Sequence, residues 1–277
     1  MPKYISFYIK FSIYNRLIER FRIGNMKRVF YFIGLTIGIS CIIVGSIVLM
    51  FLYSLKCESN DVQDVVDNVI EEYIFETPTT SNEDNVNLID LLKEAFNNED
   101  VIAYIYFPEA NISYPIVQDK DNTKYLNTNI WGNYSANGSI FLDCNNNKDF
   151  SDTSSIVYGH HMRNGGMFGS LEASCSESIN DLQFTIYTRT NKLVYAVKST
   201  EIIDPNGRNE YIHTGKYDSK AFSKYLQSNS ILYNPSYEGD NFVTLLTCHY
   251  IKGETSRYGV TGVLISNTTY NKEAFNK

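Results

Sequence analysis

One uncharged run constrains this sequence more than any other feature. From Val29 to Leu55, VFYFIGLTIGISCIIVGSIVLMFLYSL, there is no Asp, Glu, Lys, Arg or His. At about 1.5 Å rise per residue, a helix of that length crosses a hydrocarbon layer of roughly 30 Å with some tilt. A cleaved signal peptide would have a shorter apolar stretch ending at small residues. This run ends in Tyr53-Ser54-Leu55-Lys56, so an uncleaved signal-anchor fits better. A lipoprotein site at Cys57 would want a small residue before it, and Lys56 is not small.

Charge sets the expected orientation. Lys3, Lys10, Arg16, Arg20, Arg22, Lys27 and Arg28 precede the run with one acid, Glu19. Basic flanks stay on the cytoplasmic side, which puts the N-terminus inside and everything after Lys56 outside. Downstream of residue 28 lie 17 of the 24 basic residues and 30 of the 31 acidic ones, a balance of −13. A nucleic-acid partner would want a basic face, so this balance argues against one. Residues 1–25 are open to two readings, because Met26-Lys27-Arg28 would itself make an ordinary start. They are either a start artefact or a cytoplasmic amphipathic segment.

After the anchor, Val62, Val65, Val66, Val69, Ile70 and Tyr73 repeat at helical spacing, predicting a helix over 61–75. The polar stretch Glu76–Asn85 reads as a loop, and a short helix is expected at 88–96. From Val101 the texture changes to short runs rich in β-branched and aromatic residues: 101–107, 114–118, 139–142, 155–158, 184–187, 193–198, 242–246 and 260–265. Thr188-Arg189-Thr190-Asn191 reads as a hairpin turn, and 219–227 as a helix. Many short strands at close spacing predict a mainly-β barrel or sandwich, and no repeat period of 20–50 residues is visible.

The cysteines are Cys41, Cys57, Cys144, Cys175 and Cys248, with no C-x-x-C pair, so neither a redox motif nor a zinc ribbon is indicated. Pairing of Cys144 with Cys175 stays open at this level, because sequence does not give their distance. The histidines are His160, His161, His213 and His249. Cys248 closes the strand pattern Thr244-Leu245-Leu246-Thr247-Cys248, and Arg257 follows nine residues later, just before the last strand pattern. A thiolate, a histidine and an arginine make a chemical set. The thiolate is a nucleophile, the imidazole moves protons to and from an amine, and the guanidinium holds carbonyls or an oxyanion. Each also has a structural reading: a packed thiol, a turn histidine, a solvated arginine.

The run Tyr158-Gly159-His160-His161-Met162 continuing to Leu171, the 244–248 segment, and Arg257 before a final strand resemble a class B sortase. So do Tyr114–Gln118, Asp121–Asn127 and Gly138–Asp143; the likeness runs from about Leu88 to Ile265. The resemblance implies a closed eight-stranded barrel with N-terminal helices, and a helix before the strand that carries the active-site Cys. It implies Cys248 as nucleophile, His160 as acid/base and Arg257 as the third catalytic residue. His161 falls on a position not catalytic in the family. Leu246 stands where class B members often have Ser, which bears on a substrate contact rather than on the nucleophile. Thr247, Leu246, His249 and Asn127 are the expected substrate-binding residues, with the His249 N–H as an oxyanion donor.

The organisation implied is a cytoplasmic basic segment 1–28, a transmembrane signal-anchor 29–55, an extracellular stalk or N-terminal helix 56–87 and a sortase catalytic domain 88–277. The activity implied is cysteine transpeptidation. Secreted proteins bearing a C-terminal motif like N-P-x-T-x or S-P-x-T-G are cleaved after Thr, and the acyl group passes to a peptidoglycan amine at the outer membrane face. No metal or cofactor is required. Three other readings compete. A pilin-polymerising sortase often carries an Asp-Pro-aromatic lid, whereas Asn206 follows Asp204-Pro205 here. A zinc hydrolase would use His160, His161, Cys248 and His249, but adjacent histidines diverge and the spacing matches no common site. A non-catalytic wall-binding module would not need Cys248 at all.

Overall fold

The computed structural model describes residues 2–75, 87–203, 218–248 and 256–269. The chain divides into two compact units, Met1–Ser54 and Leu55–Lys277. Helix α1, Pro2–Phe75, supplies the first unit and begins the second. In the first, Met26–Ser54 is long and apolar enough to cross a membrane, overlapping the expected anchor to within one turn. Its apolar side chains, Phe30, Ile42, Leu49 and Met50 among them, are exposed, as a bilayer-facing helix requires.

In the second unit, Val62, Val66, Val69 and Tyr73 of α1 are buried in the main core. Helix α2, Leu88–Phe96, starts where the Asn87 side chain accepts the Ile89 N–H at 2.9 Å, and stops at Asn97 in the left-handed conformation. Such a cap stabilises a helix by about 1 kcal/mol. Its Leu88, Ile89, Leu92 and Phe96 are buried, and Phe96 meets Trp131 edge-on at 5.4 Å.

Nine strands are present among the described residues: β1 Val101–Phe107, β2 Ile112–Val117, β3 Phe141–Leu142, β4 Ser154–Tyr158, β5 Gln183–Thr188, β6 Asn191–Ile203, β7 Leu232–Tyr233, β8 Phe242–Cys248 and β9 Arg257–Thr269. They run in the order β5-β1-β2-β3-β4-β8-β9-β6-β7, and β5 also pairs with β6. That last pairing closes eight strands into a barrel, as expected, and leaves two-residue β7 as an appendage of β6. Closure satisfies edges that would otherwise recruit other chains. The chain's aromatic content has its explanation inside: Phe184 stacks on Tyr195 at 5.2 Å and meets Phe107 at a tilt at 5.7 Å. Gly262 on β9 makes room for them, since a Cβ there would come within 2.6 Å of the Phe184 ring.

Helices α3, Leu171–Cys175, and α4, Ser219–Asn229, complete the unit. Helix α4 precedes the strand that ends at Cys248, and Phe222 packs edge-on against Phe242 at 5.1 Å. Cys144 and Cys175 are both free thiols, so they do not pair. Burial pushes the Cys175 thiol up to about 12, which keeps it protonated and inert.

One buried acid makes stability depend on pH. Glu201 of β6 is 2% exposed, and burial pushes its carboxyl up to about 7, against hydrogen bonds from Tyr225 and Thr261 that pull it down. The folded state thus holds this proton more tightly than the unfolded chain. The resulting stability is complete at low pH and is lost as pH climbs from about 4.5 to about 7. Glu201→Gln keeps the shape and removes the charge. It should leave the melting temperature at pH 5 near wild type and raise it by about 5 °C at pH 8, as read by thermal scans at the two pH values.

Candidate active site

The sheet's pairing brings the sequence-selected residues to one end of the barrel. Strands β4 and β8 are parallel, in register from Ser154↔Phe242 to Tyr158↔Leu246. Their C-terminal ends therefore lie side by side, and the Gly159 N–H donates to the Leu246 carbonyl at 3.1 Å. His160 leaves β4 just beyond this pairing, as Cys248 ends β8. Strand β9 runs antiparallel to β8, so its first residue, Arg257, is the backbone partner of Cys248. Three positions spread over nearly a hundred residues thus converge through ladder geometry alone.

A cleft of about 280 Å³ opens there, lined by Asn122, Leu126, Phe141, Tyr158, Gly159, His160, Leu246, Thr247 and Arg257. One wall is aromatic, with Phe141 and Tyr158 stacked at 5.0 Å. Behind it, the Asp143 carboxylate accepts from the Tyr158 hydroxyl and the Asn122 amide, both at 2.9 Å. Burial, then the Asp143 charge, push the Tyr158 phenol up, so Tyr158 stays a neutral donor. Leu246 joins Ile156 and Ile203 in a small apolar cluster with Tyr158 packed against it. Thr247 is 2% exposed, and its hydroxyl has no hydrogen-bond partner. A buried hydroxyl left so is costly unless something entering the cleft pairs with it.

The imidazole of His160 is held by the backbone. Its Nε2 lies 2.7 Å from the Leu126 carbonyl oxygen. A carbonyl only accepts, so Nε2 carries the proton, and in the neutral ring Nδ1 is the nitrogen without one. Leu126 ends the 3₁₀ turn Lys124–Leu126, and Gly138 packs against it. Gly138 has φ of +58°, and a Cβ there would sit 2.7 Å from the Leu126 oxygen and 3.1 Å from His160 Cδ2. Only glycine fits that conformation and that gap. The loop after His160 folds back on itself: the Phe168 N–H donates to the His160 carbonyl, and His161 forms a backbone bridge with Met167.

Of the expected substrate-binding residues, Leu246 and Thr247 line the cleft. Asn127 does not. It is exposed, and its carbonyl accepts the Ser135 N–H at 3.0 Å. Its neighbours Asn122 and Leu126 line the cleft instead. His249 and the Asp204-Pro205-Asn206 segment lie outside the described residues. Sequence reasoning did not single out Asn122, Phe141 and Tyr158 as site residues, although all three sit inside the stretches that carry the family resemblance. The Leu126 carbonyl had no signal to find, because a backbone atom has no letter.

Comparison with known proteins identifies the family. The sortase domain profile matches residues 105–265. Sortase B of Listeria monocytogenes is 30% identical over 217 residues, covering 76% of this chain and 87% of that one. Among solved structures, Clostridium perfringens sortase B superposes with a TM-score of 0.58 at 29% identity, over 64% of this chain and 99% of that one. A Streptococcus pyogenes class B sortase involved in pilus biogenesis gives 0.53 at 28%, over 60% and 93%. By profile, by sequence and by fold, the chain belongs to the sortase family of transpeptidases and is a class B member.

Proposed function

We propose that this protein is anchored by its N-terminal helix and joins secreted proteins to cell-wall amines, with Cys248, His160 and Arg257 as the catalytic residues. The observation that carries this reading is the parallel β4–β8 ladder with Arg257 opposite Cys248, at the rim of one cleft. The basic N-terminal flank supports a catalytic unit on the outer face.

In the first half-reaction the Cys248 proton has passed to His160 Nδ1, and the thiolate attacks the carbonyl carbon of the motif Thr. The Arg257 guanidinium and nearby N–H groups stabilise the tetrahedral oxyanion. The C–N bond breaks as Nδ1 gives its proton to the leaving amine, and a thioester remains. In the second half, a neutral amine attacks the thioester carbon and loses a proton to Nδ1. The C–S bond breaks and the thiolate returns. Throughout, Nε2–H stays on the Leu126 carbonyl, which keeps Nδ1 the exchanging atom. The buried Thr247 hydroxyl is suited to pair with a substrate amide, and the apolar Leu246 cluster to pack a substrate side chain.

A second reading changes only the acceptor. The pilus-associated relative favours a lysine of another protein subunit in place of a peptidoglycan amine.

The full chain in detergent micelles, incubated with peptides bearing N-P-x-T-x and S-P-x-T-G and analysed by intact mass, should form an acyl adduct with at least one. Cys248→Ala should abolish it. If no peptide is cleaved or captured, the wall-binding reading replaces this one. Offering the acylated protein a stem-peptide amine or a pilin-type lysine peptide separates the two acceptors. Arg257→Lys keeps the charge but loses the planar fork, and should lower kcat/KM by about 100-fold in the same peptide assay.

A further inference from the structure

The groups that hold the Leu126 carbonyl trace back to a carboxylate on the first helix. Glu58 of α1, half-buried, accepts three side-chain hydrogen bonds from one loop. Asn129 Nδ2 donates to Oε1 at 2.5 Å, Ser135 Oγ to Oε2 at 2.6 Å, and Asn137 Nδ2 to Oε2 at 3.3 Å. That loop wraps the 3₁₀ turn carrying Leu126. The Ser135 N–H donates to the Asn127 carbonyl at 3.0 Å, and the Ser139 N–H to the Tyr125 carbonyl at 3.0 Å. Asn137 is followed at once by Gly138, where a Cβ would run into both the Leu126 carbonyl and the His160 ring. Charge-assisted bonds to one carboxylate are stronger than neutral ones and fix geometry.

We propose that Glu58 is a positioning residue for His160: by gathering Asn129, Ser135 and Asn137 onto one carboxylate, it fixes the loop that presses the Leu126 carbonyl onto Nε2 and so selects the Nδ1 atom as the proton shuttle. This deepens the proposed function and rests on His160 being the acid/base. The link acts through the loop, and Glu58 touches no reacting atom. It also places a requirement of the reaction on the helix that continues from the candidate membrane span, four residues beyond Ser54.

The test uses the full chain in detergent micelles with ¹⁵N-labelled histidine, and His160→Gln assigns the His160 signal. In the wild type the ring shifts should report the Nε2–H tautomer. In Glu58→Ala that signature should give way to a mixture of tautomers. In peptide cleavage kcat should fall by about tenfold or more, as small misplacements do, with KM changed less than about twofold. Glu58→Gln should recover part of both, since its carbonyl still accepts from Asn129 and its amide can donate to the Ser135 hydroxyl, while the bond from Asn137 is lost. If Glu58→Ala fails to fold, Ser135→Ala should give the same two changes in weaker form. An unchanged tautomer signature in a folded Glu58→Ala or Ser135→Ala protein overturns the proposal, as does a loss in which KM rises and kcat does not fall. If the wild type cleaves no peptide, the functional reading fails, and the tautomer comparison alone still decides the Glu58 link.

Discussion

The parallel pairing of β4 with β8 is the constraint on which the rest of the site depends. Parallel neighbours put their C-terminal ends at the same edge of a sheet, so residues that exit both strands meet without any special loop. The five paired positions from Ser154 to Tyr158 fix that edge, and the antiparallel β9 then places its first residue opposite the last residue of β8. A one-residue slip would turn every β8 side chain to the opposite face, so Leu246 and Thr247 could not both keep their places in the cleft. Val157, Val243 and Leu245, all fully buried, hold the register from the barrel interior.

Around that edge the protein uses backbone atoms and buried polar groups more than charges. The His160 ring is oriented by a carbonyl, Tyr158 by a carboxylate, and the Leu126 turn by a glycine and a three-armed bracket. Elsewhere the same economy appears in Lys198, 1% exposed, whose ammonium donates to the carbonyls of Asn234 and Tyr237 and lies 4.7 Å from the Tyr233 ring centre. Satisfied groups of this kind rigidify what surrounds them.

What the sequence made legible follows from what a periodic pattern can carry. The α2 boundaries agree with the pattern because caps and apolar spacing both mark them. Strands β6 and β9 run several residues beyond their patterns. Lys198, Ser199, Thr200 and Glu201 read as polar, yet they are buried; carbonyls replace water for Lys198, and Tyr225 of α4 meets Glu201. Five-residue α3 and two-residue β7 are too short for any period. At the site, Cys248 closes the strand that the pattern marks, while Arg257 lies just ahead of the last pattern and begins β9. Asn127 lies outside the cleft lining while Leu126 is part of it, because a 3₁₀ turn decides which neighbouring residue faces inward, and that turn has no clear sequence mark.

The ladder has a consequence for the chain's life before it is a protein. His160 and Cys248 are separated by 88 residues of sequence, and nothing local brings them together. Pairings over such distances form late in folding, after the entropy of a long loop has been met. A polypeptide emerging N-terminus first exposes the histidine strand well before its partner exists. Until β8 inserts beside β4, the two strand ends are apart and the cleft between them has not formed. The order of synthesis and the topology of the sheet thus act together: an unfinished copy carries both residues without the ladder that brings their positions together.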